Sequence, residues 1–214
     1  MFIGHYSVAF AVRTERNQIP LWVLFVAVQL LDLLWAPFVF LGLEKVRIVL
    51  GITARNPLDL CMPYTHSLVA AVVWSALAAF VYKLVRGARA SSSAALIIAM
   101  AVFSHWILDL IVHRPDLPIY DDTLKVGFGL LNYKGAEFAM EIALLVIGIA
   151  LYLKRNVIKS AGRKIGVAVF GVVLILVQTQ TTFCGRPLSS NRIVAITTLF
   201  AAIAFVLEKQ RRSH

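Results

Sequence analysis

The sequence predicts an all-α fold, a polytopic transmembrane helical bundle of about six spans with a short N-terminal re-entrant or half-length helix. Composition carries this first. Of 214 residues, 60% are hydrophobic and 15% charged, against about half and about a quarter in soluble domains. Mean hydropathy is +0.81. The apolar residues are also gathered into windows of near-membrane length, with the basic residues between them. An ordinary soluble domain is excluded, and residues 1–214 read as a single integral membrane domain whose first partner is the lipid bilayer. The formal net charge of +10 follows from membrane topology, so no nucleic-acid partner is expected.

In chain order, Met1 to Val12 is apolar but has no basic leader and no small-residue cleavage site, so it reads as a half-length or re-entrant helix, not as a cleaved signal peptide. Apolar windows then run from Leu21 to Leu43, Leu68 to Val81, Ala94 to Val112, Ala136 to Leu153, Ile165 to Phe183 and Ile193 to Leu207. The last reaches only about 22 Å at the helical rise and must borrow flanking residues or cross thin membrane.

Alternating the loops between two sides puts 13 of the 21 Lys and Arg on one side, among them Arg13, Arg16, Lys83, Arg86, Arg89 and the run from Lys154 to Lys164. By the positive-inside bias that side is cytoplasmic, which places the C-terminus inside and the loops around residues 44–64, 113–134 and 185–192 outside. The acidic loop residues Glu44, Asp59, Asp116, Asp121 and Asp122 fall on the outer side. Cys61 and Cys184 both map to outer helix ends, where an oxidising compartment permits a bond. The alternative is two buried free thiols, and separation is expected more often than contact.

The informative residues are polar groups at membrane depth. Asp32, Asp109 and Glu141 lie inside apolar helices, with His66, His105, His113 and Glu137 at or near the outer ends. A carboxylate at the bilayer centre costs about 2.5–3.5 kcal/mol on insertion scales, so these groups need each other or a cation. Asp32 lies about 18 Å along its helix from Pro20, and His105 and Asp109 lie about 18 and 24 Å from the helix start near Ser93. A re-entrant first segment brings His5 to the same depth, so all can reach one chamber. His105, Asp109 and His113 follow i, i+4, i+8 spacing and form one helical stripe, and Glu137 and Glu141 repeat the i, i+4 spacing on the next helix. Imidazole and carboxylate groups so spaced build metal sites in helical bundles. A proton relay and a hydrogen-bonded packing pair use the same residues.

Other features carry less. Gln178, Gln180, Thr181 and Thr182 suit interhelical hydrogen bonding or a substrate path. Ser67 and Ser104 each adjoin a histidine, but helical neighbours do not face one another. The four tryptophans read as lipid-facing or packing residues, and Gly127-Phe128-Gly129 as a turn.

The order Gly4-His5, Asp32, Tyr64-Thr65-His66-Ser67 and Ser104-His105-Trp106-Ile107-Leu108-Asp109 resembles the LexA-binding, inner-membrane-associated metal-dependent hydrolase family over residues 1–141. It is more distantly similar to zinc-dependent phospholipase C, and the stretch from His113 to Pro118 looks like a subgroup of bacterial membrane proteins described as permeases. The resemblance implies that His5, Asp32, His66, His105 and Asp109 are metal ligands, with His113 and Glu141 as additions. It implies a divalent metal, zinc, and a place in the bacterial inner membrane. The chain departs from the family at Leu31-Asp32-Leu33-Leu34-Trp35, where Pro-Asp-x-Asp-His is usual, and at Pro63-Tyr64, where His-Arg-Gly is usual, so its ligand set is thinner.

The leading expectation is a metal-dependent membrane hydrolase that cleaves an ester or phosphodiester bond of a lipid-like substrate. His5, Asp32, His66, His105, Asp109 and His113 are its candidate metal ligands, and Asp109, Glu137 and Glu141 its candidate catalytic base. A proton- or cation-coupled transporter or channel is the alternative from another class, although no inverted repeat is visible. A non-catalytic scaffold, its basic loops bound to anionic lipid or to an unknown protein, is the third.

Overall fold

The computed structural model describes residues 2–54, 57–158 and 160–184. Within them the regular structure is helical apart from one small hairpin and two isolated bridges. Its elements are α1 (Ile3–Val12), α2 (Leu21–Val28), α3 (Leu30–Phe40), β1 (Lys45–Ile48), β2 (Leu58–Cys61), α4 (Leu68–Arg86), α5 (Ser92–Val112), α6 (Lys134–Arg155) and α7 (Ala161–Phe183). Four helices, those beginning at Leu68, Ser92, Lys134 and Lys164, are long and apolar enough to cross a membrane, and α2 with α3 makes a fifth if the bent pair is one span. About six spans were expected; the sixth window, Ile193 to Leu207, lies outside the described residues.

α1 is enclosed. Its 10 residues reach about 15 Å, half the hydrocarbon thickness. A helix that is apolar all round is stable only when every face is covered, and α2, α5, α6 and α7 all pack against this one. Tyr6 and Phe10 meet Phe25 of α2 edge-on at 5.2 and 5.3 Å, and Phe25 stacks on Phe170 of α7 at 5.1 Å. At the α6 contact Gly148 is essential, because a Cβ there would lie 2.5 Å from the Ser7 carbonyl oxygen and 2.7 Å from its Cα. The small residue lets two backbones touch, as in tight membrane helix pairs.

The single helix expected from Leu21 to Leu43 is broken instead. α2 and α3 meet at Gln29 with a 51° bend. His105 enters this break from α5, its Nδ1 2.7 Å from the Val28 carbonyl, while the Gln29 amide donates to the Phe2 carbonyl. A side chain inserted into the i to i−4 ladder is a recognised cause of sharp kinks. Pro37, inside α3, lies two turns beyond the bend.

α4 and α5 each start from a serine cap, Ser67 accepting from the Ala70 N–H and Ser91 from the Ala94 N–H, both at 3.1 Å. The all-helical expectation holds, with one small addition between α3 and α4. β1 and β2 form an antiparallel hairpin with Lys45 opposite Cys61 and Ile48 opposite Leu58. The loop after α5 folds back so that Leu117 pairs with Val126. Gly127 (φ +153°) is required here, since a Cβ would collide with the His113 and Arg114 carbonyl oxygens at 2.4 and 2.2 Å. Cys61 and Cys184 are both free; Cys184 is exposed and Cys61 half-buried, so neither is the buried thiol expected.

Candidate metal centre

Four separate elements deliver imidazole and carboxylate groups to one place. α1 supplies His5, α3 supplies Asp32, the turn before α4 supplies His66, and α5 supplies His105 and Asp109 with His113 at its C-cap. His5, His105 and Asp109 form one group and Asp32, His66 and His105 another. Within each, one ligand atom per residue lies within 4.8 Å of the others, and His105 belongs to both. The side chains of His5, His66, His105 and Asp109 are at most 3% exposed, His113 is 11% exposed and Asp32 15%. Asp32 therefore marks the open side of the cluster.

The separations suit the ligands of one ion, and the shorter ones lie within hydrogen-bond reach as well. His105 Nε2 lies 3.2 Å from Asp109 Oδ2, His5 Nε2 3.3 Å from Asp109 Oδ1, and His66 Nε2 3.5 Å from Asp32 Oδ1. His66 and His113 each stand 3.9 Å from Asp109 Oδ2, and His105 stands 3.8 Å from Asp32 Oδ1. Tetrahedral bonds of about 2.0 Å put ligand atoms about 3.3 Å apart. Both ring nitrogens of His5 and Nε2 of His105 are buried without a hydrogen-bond partner among the described residues, an arrangement that normally costs about 1–3 kcal/mol per group.

The far side of each ring is held. His105 Nδ1 faces the Val28 carbonyl, a pure acceptor, so the proton sits on Nδ1. His113 Nδ1 lies 3.0 Å from Asp116 Oδ1, and Arg114 braces that carboxylate from Nε at 3.1 Å while also pairing with Asp59 of β2. His66 Nδ1 is 2.8 Å from Thr65 Oγ1, whose hydroxyl lies 2.8 and 3.0 Å from the two oxygens of Glu44. The hydroxyl has one proton, which it donates to Glu44, so it accepts from His66 Nδ1–H. Burial raises the Glu44 carboxyl above its ordinary range, while His66 and the donors from Thr65 and Tyr64 pull it back. In each case the network assigns the same tautomer, with an Nε2 lone pair turned towards Asp32 and Asp109. Such carboxylate- or carbonyl-anchored histidines are how metal-binding rings are oriented.

The two glutamates of α6 are used differently. Glu141, fully buried, accepts from the Phe2 and Gly4 N–H groups at 3.1 and 3.0 Å and from Gln178 of α7 at 3.0 Å. An anion at a helix N-terminus satisfies donors that have no intrahelical partner. Glu137 accepts from the same Gln178 amide at 3.4 Å. Both stand beside α1, and Gln178 does the interhelical bonding expected of it. The sequence reading did not single out Thr65, Glu44 or Asp116 as ring anchors. Thr65 and Asp116 carry a local signal, one residue before His66 and three after His113; Glu44 carries none.

Compared with protein-family models, curated proteins and solved structures, the chain matches none.

Proposed function

We propose that the protein is a multi-pass membrane hydrolase whose His/Asp cluster binds a divalent metal and cleaves an ester or phosphodiester bond of a lipid-like substrate. It sits in the bacterial inner membrane with its C-terminus in the cytoplasm. The observation that carries this reading is electrostatic. Nε2 atoms of His66, His105 and His113 lie 3.2–3.9 Å from oxygens of the buried Asp109 and the part-exposed Asp32, a spacing and a mixed donor set that one cation among them would satisfy. An imidazolium would serve one such pair, but His5 and His105 are stacked, so both cannot be charged without repulsion. One dication answers every contact at once.

The mixed nitrogen and oxygen donor set suits zinc, which when bound supplies Lewis-acid polarisation and activates water at neutral pH. The chain's own residues do the rest. His5, His66, His105 and Asp109 are buried and would fix the geometry, and Asp32, on the open side, would complete the donor set where substrate approaches. An apolar cavity of about 500 Å³ borders Tyr64 and Ser67, the near neighbours of His66, and suits the hydrocarbon part of a substrate. The motif order that resembles the inner-membrane hydrolases supports the same reading.

Elemental analysis of detergent-purified protein tests it. Zinc or another divalent metal should be retained stoichiometrically, and phospholipid or ester-lipid hydrolysis should be lost on chelation and restored on reloading. A metal-free preparation that conducts ions in liposomes would assign the cluster to transport.

A further inference from the structure

A second feature has its charged end well away from the metal centre. α2 and α4 both pack on α5, and the space between them is an apolar cleft of about 500 Å³. Ile98 of α5 lines it, with Val23 and Val26 on the α2 side and Leu77 and Val81 on the α4 side. From Trp74 to Arg86 the cleft follows α4 for 12 residue rises, about 18 Å. One leaflet of a bilayer core is about 15 Å deep.

One end of this cleft is charged. Arg86, in the last turn of α4, lines it beside Tyr82. Its Nε is buried and has no hydrogen-bond partner among the described residues, and no carboxylate there pairs with it or with Lys83. A guanidinium remains charged at any physiological pH, and a buried donor without an acceptor is costly. Interaction with the helix dipole accounts for a basic residue at this end of α4. It does not account for an Nε turned away from water at the mouth of an apolar cleft.

We propose that the cleft is a binding site for one anionic phospholipid of the membrane, with an acyl chain along α2 and α4 and the phosphate on Arg86. Both halves of the lipid are then matched: hydrocarbon against an apolar lining, and a phosphate oxygen against the dry Nε. The lipid is not the hydrolase substrate. Arg86 lies 18 rises, about 27 Å, along α4 from Leu68, which follows His66 by two residues. The cleft and the metal centre therefore stand or fall separately.

The test uses the full-length protein in neutral detergent, titrated with phosphatidylglycerol or phosphatidylcholine carrying brominated acyl chains. Trp22 lines the cleft alone, whereas Trp74 also lines the cavity beside Tyr64, so bromine contact is read as quenching of Trp22 in a Trp74→Phe background. Brominated phosphatidylglycerol should quench saturably at about one lipid per protein, with half-saturation about tenfold below that of phosphatidylcholine, as a charge-assisted hydrogen bond gives. Arg86→Gln should erase that preference and leave the thermal melt unchanged, because no ion pair of Arg86 among the described residues is lost with the charge. Ala78→Phe, which fills the cleft from α4, should remove saturable quenching by both lipids. Equal affinity for the two lipids with Arg86 present overturns the proposal, and so does a preference that survives Arg86→Gln. If Ala78→Phe fails to fold, the Arg86→Gln comparison still decides.

Discussion

His5 and His105 stack face to face, ring centroids 3.8 Å apart and planes within 5°. One ring rides on an N-terminal helix of ten residues and the other on a long helix a hundred residues later. Their contact joins the two halves of the cluster, because His105 also reaches towards Asp32, and each ring has an Nε2 within 3.3 Å of Asp109.

His105→Ala should abolish metal retention, since it removes the ligand common to both groups. The protein should still fold, because its apolar packing is distributed over all the helices. Metal content measured alongside circular dichroism checks both halves. Stoichiometric metal in this variant would move the ligands elsewhere.

The anchoring residues should matter almost as much as the ligands. Thr65→Val frees His66 Nδ1 and leaves Glu44 without its hydroxyl donor, and Asp116→Asn weakens the grip on His113. Each should weaken metal binding about 10–100-fold, the usual effect of losing a group that orients a metal-binding histidine. Competition with a chelator of known affinity measures it. Unchanged affinity in both variants would mean that these contacts serve folding alone.

Gly148→Leu should couple packing to the site. The new side chain must displace the Ser7 backbone, and with it the helix that carries His5. Overpacking of this kind costs about 1–3 kcal/mol. The expected result is a lowered melting temperature together with loss of metal, whereas Gly162→Leu, at a position with only an ordinary side-chain contact nearby, should spare both.

The two cysteines test the topology and carry a pH dependence. Cys184 is exposed and should react from the periplasmic side with a membrane-impermeant maleimide. Cys61 is half-buried, and burial, aided by the Asp122 carboxylate, pushes its thiol above the ordinary range. Only the thiolate reacts, so Cys61 labelling should lag at neutral pH and catch up as pH rises through its elevated value. Labelling of Cys184 only after the membrane is permeabilised would invert the orientation.

Much of the helical order was legible in the sequence because it depends on local periodicity. Five of the seven apolar windows became elements close to their expected limits, and the His105, Asp109, His113 stripe needed only the helical repeat. The break at Gln29 was not legible. Window averaging sees an apolar stretch on both sides, and the bend depends on His105, a residue far away in sequence. The hairpin was hidden for a related reason, since Lys45-Val46-Arg47-Ile48 and Leu58-Asp59-Leu60-Cys61 are too short and too mixed in charge for their alternation to stand out. Glu141 shows a deeper limit. A carboxylate in an apolar helix announces that it needs a partner but does not name one, and here the partners include the backbone donors of α1.

The enclosure of α1 has a consequence for biosynthesis. The hydrogen bonds from Phe2 and Gly4 to Glu141 span 139 and 137 residues, and Phe170 of α7 closes the aromatic cluster around Tyr6 and Phe10. α1 therefore reaches its final place only after α6 and α7, which follow it in the chain, are available to enclose it. Until α6 and α7 have been inserted, His5 has no fixed position opposite Asp109. A chain arrested before Glu141 should contain His66, His105 and Asp109 while His5 still lacks the contacts that hold α1, so the cluster would be completed only once α6 and α7 are in place.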